Sequence, residues 1–366
     1  MGLGLLAAVA CALVPFRHYD TMAYVAYAAS ILMLLMVLVF GKEIGGGRRW
    51  LSIAGLTVQP SEFAKLGLML ALARFLASNR ARSPMLLVIG AAAFVFPVFV
   101  LVLQQPDLGT AIVYPALAIP MLFWAGVRLG FLIAMASPVI SALVMFYSSR
   151  ILDSSALWPW VAYILIVLGL LYYLRLYLLP SMLLAVSNIL TGLSIPLVFD
   201  RLQPYQQQRI LSFFDASDAN RLNYGYQTFQ SKVAIGSGGL LGKGFLAGTQ
   251  KGLAFLPERH TDFIFSVIGE EFGLWGAWLT LALFYILLWR CFRAAIVVRR
   301  PFGSLLLIGV ASYFAFQVLV NVSITVGLLP VTGLPLPFFS KGGSSMLASC
   351  LMIGLYFNVS ARWSEV

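Results

Sequence analysis

Leu256-Pro-Glu-Arg-His-Thr-Asp-Phe-Ile-Phe-Ser-Val-Ile-Gly-Glu-Glu-Phe-Gly273 is the point where the chain's longest polar stretch runs into an apolar segment that continues to Trp289. It sets Glu258, Arg259, His260 and Asp262 at the start of that segment and two further carboxylates, Glu270 and Glu271, inside it. A carboxylate taken out of water without a partner is strongly unfavourable, so ionisable groups at this depth must face protein or a water-filled space rather than lipid. With a helix starting near Asp262, a turn of 100° per residue puts Ser266, Gly269, Gly273, Gly276 and Thr280 within about 40° of the aspartate. Its side chain then looks along a groove of small residues. Position alone leaves open whether Thr261 or Asp262 caps the helix, and whether the Gly269-xxx-Gly273 spacing serves helix packing or a ligand groove.

Working outward, 61% hydrophobic and 10% charged residues over 366 positions exclude a soluble domain, which needs more charge on its surface. The expectation is an all-α, polytopic integral membrane protein. Spanning or near-spanning runs cover 2–16, 22–40, 62–78, 84–103, 109–126, 129–147, 158–178, 180–199, 262–289, 303–328 and 343–361, about eleven helices. Cys11, Cys291 and Cys350 lie in or beside apolar runs without paired spacing, which gives no disulfide framework and no zinc site. The run 2–16 lacks the basic n-region and polar cleavage region of a signal peptide.

Arg17, Arg80, Arg82, Arg128, Arg175, the stretch Arg290 to Arg300 and Arg362 fall in connections on one side, which the positive-inside rule makes cytoplasmic. The N-terminus then begins outside. The same assignment leaves Lys42, Arg48, Arg49, Arg150, Arg201, Arg209, Arg221, Lys232, Lys243, Lys251, Arg259 and Lys341 on the outer side. Either the topology is inverted or the outer surface holds anions; lipid headgroups account for part of that charge.

Polar sequence concentrates in the outer connections. Gly41 to Ser61 contains Gly45-Gly-Gly-Arg-Arg-Trp50 and then Gln59-Pro-Ser-Glu62, with Pro60 at a first-turn position and Lys65 three residues past Glu62, spaced for an ion pair. In Gln104-Gln-Pro-Asp-Leu-Gly-Thr110, Asp107 is either a turn and cap residue or a site residue. The largest loop, 200–261, carries Tyr205-Gln-Gln-Gln-Arg209 and the glycine clusters Gly236-Ser-Gly-Gly239, Gly242-Lys-Gly244 and Gly248-Thr-Gln250. Such glycines either connect flexibly or let backbone N–H groups approach an anion beside Lys232, Lys243 and Lys251; no Walker pattern is present. The last outer connection, 329–345, combines prolines with Gly342-Gly-Ser-Ser345 and suits non-helical backbone lining a cavity at the membrane.

Together, Gly46-Gly-Arg-Arg-Trp50 with Gln59-Pro-Ser-Glu62, Gln105-Pro-Asp-Leu-Gly-Thr110, Gln230-Ser-Lys-Val-Ala-Ile-Gly-Ser-Gly-Gly239, Leu256-Pro-Glu-Arg-His-Thr-Asp-Phe-Ile-Phe265 and Pro335-Leu-Pro to Gly342-Gly-Ser-Ser345 resemble the SEDS family (shape, elongation, division and sporulation) across most of the chain and in order. Arg259 is similar to the family's elongation members rather than its division members. The resemblance implies a peptidoglycan glycosyltransferase that polymerises lipid II into β-1,4-linked glycan and releases undecaprenyl pyrophosphate, for cell elongation and rod shape. The active site would lie on the extracytoplasmic side of the bacterial cytoplasmic (inner) membrane. It also implies a class B penicillin-binding protein, a transpeptidase, as partner within the elongation machinery, and no nucleic-acid partner. The family's essential aspartate falls on Asp262.

The family's ten-helix core would lack its first helix here, and 158–199 would be an inserted helix pair, within one membrane domain spanning 1–366. Two departures stand out: Gln207, where related sequences carry a basic residue, and Lys341, where they carry tyrosine.

The chemistry follows separately. Moving an anomeric carbon from a lipid pyrophosphate to a sugar hydroxyl needs a base, charge relief for the departing pyrophosphate and exclusion of water. Asp262 is the candidate base, worth roughly 10² to 10⁴-fold, acting in a single displacement with inversion. Arg48, Arg49, Arg209, Lys232, Lys243 and Arg259 are candidates for the pyrophosphates. Asp107, Glu258, His260, Thr261, Ser344 and Ser345 complete the substrate-binding candidates. Asp262 could instead ligate a divalent cation, Mg²⁺ or Mn²⁺. A lipid II flippase using Glu270 and Glu271 is the competing reading, and an inactive scaffold a third; the placement of polar residues on one side favours surface chemistry.

Overall fold

The computed structural model describes residues 2–44, 47–53, 56–152, 157–173, 178–202, 207–208, 210–211, 226–245, 247 and 261–362. These contain twelve α-helices and a small antiparallel sheet, and the chain packs as two compact units: 1–126 with 226–366, and 127–225.

In the first unit, α1 (Gly2–Leu13), α2 (Phe16–Phe40), α3 (Pro60–Ser78), α4 (Pro84–Leu103), α5 (Leu108–Trp124), α9 (Tyr226–Gly238), α10 (Ile264–Val297), α11 (Pro301–Thr325) and α12 (Gly343–Ala361) pack around α3 and α11. The eleven apolar runs all become helices. The twelfth helix, α9, comes from the polar loop, and the extra sheet comes from 42–58, where β1 (Lys42–Ile44), β2 (Gly47–Ile53) and β3 (Leu56–Val58) pair in the order β1-β2-β3. Among the described residues seven helices are long and apolar enough to cross a membrane, and Gly2–Leu13, Leu108–Trp124 and Trp158–Tyr173 are shorter apolar helices.

The centre is unusual in its polarity. Helix α3 carries Glu62, Lys65 and Arg74, yet most of it is buried. Its charges are affordable only because they face protein: Lys65 Nζ donates to Glu62 Oε1 at 2.6 Å with both side chains almost fully enclosed, the pair expected from their spacing. Helix α11 is buried over most of its length, whereas α10 turns a largely exposed apolar face outward, as a lipid-facing helix does.

Contacts at helix ends sort the connections. Phe16 packs at a tilt against Phe302 with ring centres 5.4 Å apart, Arg74 donates to the carbonyls of Asp20 and Thr21, Trp124 donates to Ser304 Oγ at 2.7 Å, and Asn358 donates to the carbonyls of Cys11, Ala12 and Val14. Arg17, Arg80, Arg82, Arg299, Arg300 and Arg362 therefore flank one end of this bundle. The sheet, the Asp107 turn, Asp262 and the 329–342 connection occupy the other.

The second unit holds α6 (Leu129–Tyr147), α7 (Trp158–Tyr173) and α8 (Leu178–Asp200). Its helices are joined by buried polar side chains: Asn188 Nδ2 donates to Ser137 Oγ at 2.8 Å, Trp160 Nε1 to Ser141 Oγ at 2.9 Å and Tyr163 OH to the Ser137 carbonyl at 2.7 Å. Interhelical hydrogen bonds of this kind replace the hydrophobic drive that is absent between helices in lipid. At its end Arg150 pairs with Asp200 at 2.5 Å.

Candidate active site

Helix α10 begins at Ile264 with Phe263 as its N-cap residue and no side-chain cap. Neither Thr261 nor Asp262 caps it. They lie in a turn just before it, with Asp262 half-buried. The helix starts one residue later than the cap reading requires, and the carbonyls of this turn are held by other elements. Asn321 Nδ2, fully buried on α11, donates to the Asp262 carbonyl at 3.0 Å and to the Leu334 carbonyl at 2.8 Å. Ser340 Oγ donates to the Thr261 carbonyl at 2.5 Å and accepts from the Leu336 N–H at 2.8 Å. The turn bearing the aspartate and the proline-rich connection are thus one clamped body.

One turn earlier on α11, Gln317 extends the clamp. With its amide oriented to satisfy both neighbours, it accepts from Lys65 Nζ at 3.1 Å and donates to the Pro335 carbonyl at 3.3 Å. Gln317 and Asn321 are four residues apart and so share a face. The buried Glu62–Lys65 pair is thereby connected to the segment that supports Asp262.

The Asp107 turn joins from the other side. Asp107 Oδ1 accepts the Thr110 N–H at 3.1 Å, so the residue caps α5, and its Oδ2 accepts from Gln59 Nε2 at 3.3 Å. The Gln59 N–H donates to Ser344 Oγ at 2.9 Å. Gly109 lies so close to the Thr332 carbonyl that a Cβ there would approach it to 2.2 Å, and a Cβ on Gly333 would sit 3.8 Å from Asp262 Oδ2. Arg49 donates to the carbonyls of Gln105, at 3.0 Å, and Pro106, tying the sheet to this turn. Asp262, Thr261, Asp107, Ser344, Ser345 and Arg49 are therefore brought to one end of the bundle around the 329–342 connection.

Other candidates lie elsewhere. Arg48 is exposed, 4.0 Å from Glu43. Lys232 is exposed beside Gly327 at the end of α11. Arg209, Glu258, Arg259 and His260 lie outside the described residues. Lys243 pairs with Glu270 at 2.8 Å.

That pair belongs to a break in α10. The helical face drawn from Asp262 through Gly273 to Thr280 does not persist, because Gly273 adopts φ 63°, ψ −158°, a conformation open essentially to glycine alone. The interrupted ladder is repaired from outside the helix. The N–H groups of Lys243 and Gly244 donate to the carbonyls of Glu270 and Glu271, each at 3.0 Å, and the Leu274 N–H donates to the Gly239 carbonyl at 2.9 Å. The approach is so close that a Cβ on Gly242 would come within 2.2 Å of the Glu271 carbonyl, and one on Gly238 within 2.0 Å of the Gly269 carbonyl. These glycines bring backbone to backbone, and Gly269 serves helix packing against α9. Ser231 completes the junction, donating to the Thr325 carbonyl at 2.7 Å and bonding Ser266 Oγ.

Asn321, Gln317, Ser340 and the Ser231–Ser266 pair were not among the sequence candidates. A signal existed in the stripe Gln317, Asn321, Thr325, spaced by four through an apolar run.

An all-α membrane bundle with a clamped carboxylate where three polar connections converge at one end defines a membrane-embedded enzyme class in outline. The family follows from comparison. The model of the FtsW/RodA/SpoVE family, described as "cell cycle protein", matches residues 1–162 and 160–365. The peptidoglycan glycosyltransferase MrdB of Escherichia coli strain K12 is 34% identical over 361 residues, covering 98% of this chain and 83% of the relative. A solved structure described as showing structural coordination of polymerization and crosslinking by a peptidoglycan synthase complex superposes with TM-score 0.67 at 32% identity, covering all of this chain and 88% of that one. The crystal structure of the rod shape determining protein RodA of Thermus thermophilus superposes with TM-score 0.61 at 29% identity, covering 98% and 84%. The chain belongs to the FtsW/RodA/SpoVE family.

Proposed function

We propose that the protein is a peptidoglycan glycosyltransferase of the elongation type, polymerising lipid II at the end of the bundle that carries Asp262. The enzyme class rests on relatives named peptidoglycan glycosyltransferase, matched over 98% of this chain and 88% and 83% of their own length. The observation that carries the site is the clamp: Asn321 and Ser340 fix the backbone of Thr261 and Asp262 to the 334–340 segment. A carboxylate held this way presents its oxygens at a set position while its peptide groups are satisfied by protein, which is the preorganisation a positioned base requires.

Asp262 accepts the proton of the acceptor 4-hydroxyl as that oxygen attacks the anomeric carbon of the donor; the bond from that carbon to the pyrophosphate oxygen breaks, and configuration inverts. The departing undecaprenyl pyrophosphate takes the negative charge. Arg48 and Lys232, both exposed, and Arg209 and Arg259, which lie outside the described residues, are cations to receive it, whereas Arg49 and Lys243 are engaged in holding the fold. Among the described residues no three potential ligands cluster for a metal. Asp262 would be the residue to hold a Mg²⁺ or Mn²⁺ ion, which would supply charge relief to the pyrophosphate.

The arginine-flanked end is cytoplasmic and the Asp262 end extracytoplasmic, by the charge bias of the short connections. A transpeptidase of the class B penicillin-binding type is the partner, a reading supported by the structural likeness to a complex described as coordinating polymerization and crosslinking. The test is glycan formation from purified lipid II by this protein with that partner, with and without Mg²⁺ or Mn²⁺. Long glycan strands are expected; a partnered, folded protein that yields none, yet moves lipid II across vesicles, would make it a transporter.

A further inference from the structure

At the arginine-flanked end, away from Asp262, a cavity of about 400 Å³ opens where the ends of α3, α5 and α10 meet the start of α11. Its lining includes Arg80, Arg299, Phe123, Trp124, Ile296 and Ser304. Arg80 and Arg299 are exposed, and among the described residues neither meets a carboxylate. Asp20, at the same end, is already engaged by Arg74 at 3.7 Å. The polar groups deeper in the wall are spent on one another: Trp124 Nε1 donates to Ser304 Oγ, which donates to the Ala295 carbonyl at 2.7 Å. The cavity therefore offers two unneutralised guanidinium groups over a floor with no carboxylate.

The rest of its wall is apolar and continues outward. Phe123 is 51% and Ile296 59% exposed, and the exposed face of α10 runs on through Phe292 and Trp289 along the bundle. A ligand that fits must be anionic at one end and apolar at the other. Guanidinium groups take phosphate oxygens in bidentate fashion, tryptophan favours the membrane–water boundary, and basic pockets between membrane helices on the cytoplasmic side receive acidic headgroups.

We propose that this cavity is a binding site for the phosphodiester headgroup of an anionic phospholipid in the cytoplasmic leaflet, with its acyl chains lying along α10. The site is separate from the glycan chemistry, and its occupancy is read without measuring turnover.

The test is native mass spectrometry of the full chain released from vesicles of phosphatidylglycerol or of phosphatidylcholine. The wild-type protein is expected to retain phosphatidylglycerol selectively. Arg80→Gln with Arg299→Gln is expected to lose about tenfold of that retention, as the loss of paired charge-assisted contacts implies. Arg128→Gln with Arg201→Gln, which removes the same charge elsewhere, should leave it unchanged. Both arginines of the first pair are exposed, and the single variants, each with an intermediate loss, guard against misfolding. Equal retention of the two lipids, or equal loss in both double variants, would overturn the proposal. Displacement of the lipid by inorganic phosphate at millimolar concentration would assign the site to free phosphate instead.

Discussion

At Asp262 the geometry separates two duties that an aspartate can perform where a helix starts. Asp107 performs the first, capping α5 and bonding Gln59, and its carboxylate is spent on the fold. Asp262 leaves the cap to Phe263 and has its backbone, through Asn321, secured instead. Asn321→Ala removes two hydrogen bonds at about 1 kcal/mol each, so thermal stability should fall modestly. If the clamp positions the base, turnover should fall by about tenfold or more at unchanged KM, since roughly 1.4 kcal/mol is a factor of ten in rate. A rise in KM with turnover intact would make Asn321 a binding or folding residue only. The place of Asp262 at the head of an apolar helix was legible in the sequence; the bonds that Asn321 makes to its turn were not, because a polar stripe in an apolar run looks the same whether it bonds its own helix or a loop.

At the scale of elements, the break in α10 carries the clearest consequences. Gly273→Ala places a Cβ within 2.4 Å of the Gly242 nitrogen at a backbone conformation costing about 1–3 kcal/mol for other residues, so a melting experiment should show severe destabilisation. Gly236→Ala, on α9 with nothing within 4 Å, should be neutral or stabilise by about 0.5–1 kcal/mol. Similar losses from both would mean that the glycines act through flexibility, not through close contact. Glu270→Gln should lower stability through its lost pair with Lys243 while leaving chemistry intact; an equal loss of turnover in well-folded protein would move the reacting centre into α10. In α3, Glu62→Gln strands the buried Lys65 and should cost about 3–5 kcal/mol, with Lys65→Met added to it recovering part of the loss. The pair was readable from i, i+3 spacing. The repair of α10 by 239–244 was not, because glycine clusters show that backbone can come close but not to what, and the partner lies some thirty residues on.

Over the whole molecule, hydropathy alone located the apolar helices, since lipid leaves a spanning segment no other way to satisfy its backbone. It missed what polar sequence does at the ends: α9 and the β1–β3 sheet form within connections, where tertiary contacts rather than periodicity decide. The arginine-bearing ends of α2, α3, α11 and α12 are collected by contacts at one end of the bundle. The runs within 158–199 form α7 and α8, which pack with α6 in a unit of their own. The most direct measurement compares wild-type protein with Asp262→Ala in two assays on the same purified samples: binding of lipid II and its conversion to glycan with the transpeptidase partner present. Binding retained within a few-fold, with turnover reduced by about 10² to 10⁴-fold or more, is the expected result for a positioned base. Normal glycan synthesis by Asp262→Ala would contradict it and place the base on another residue.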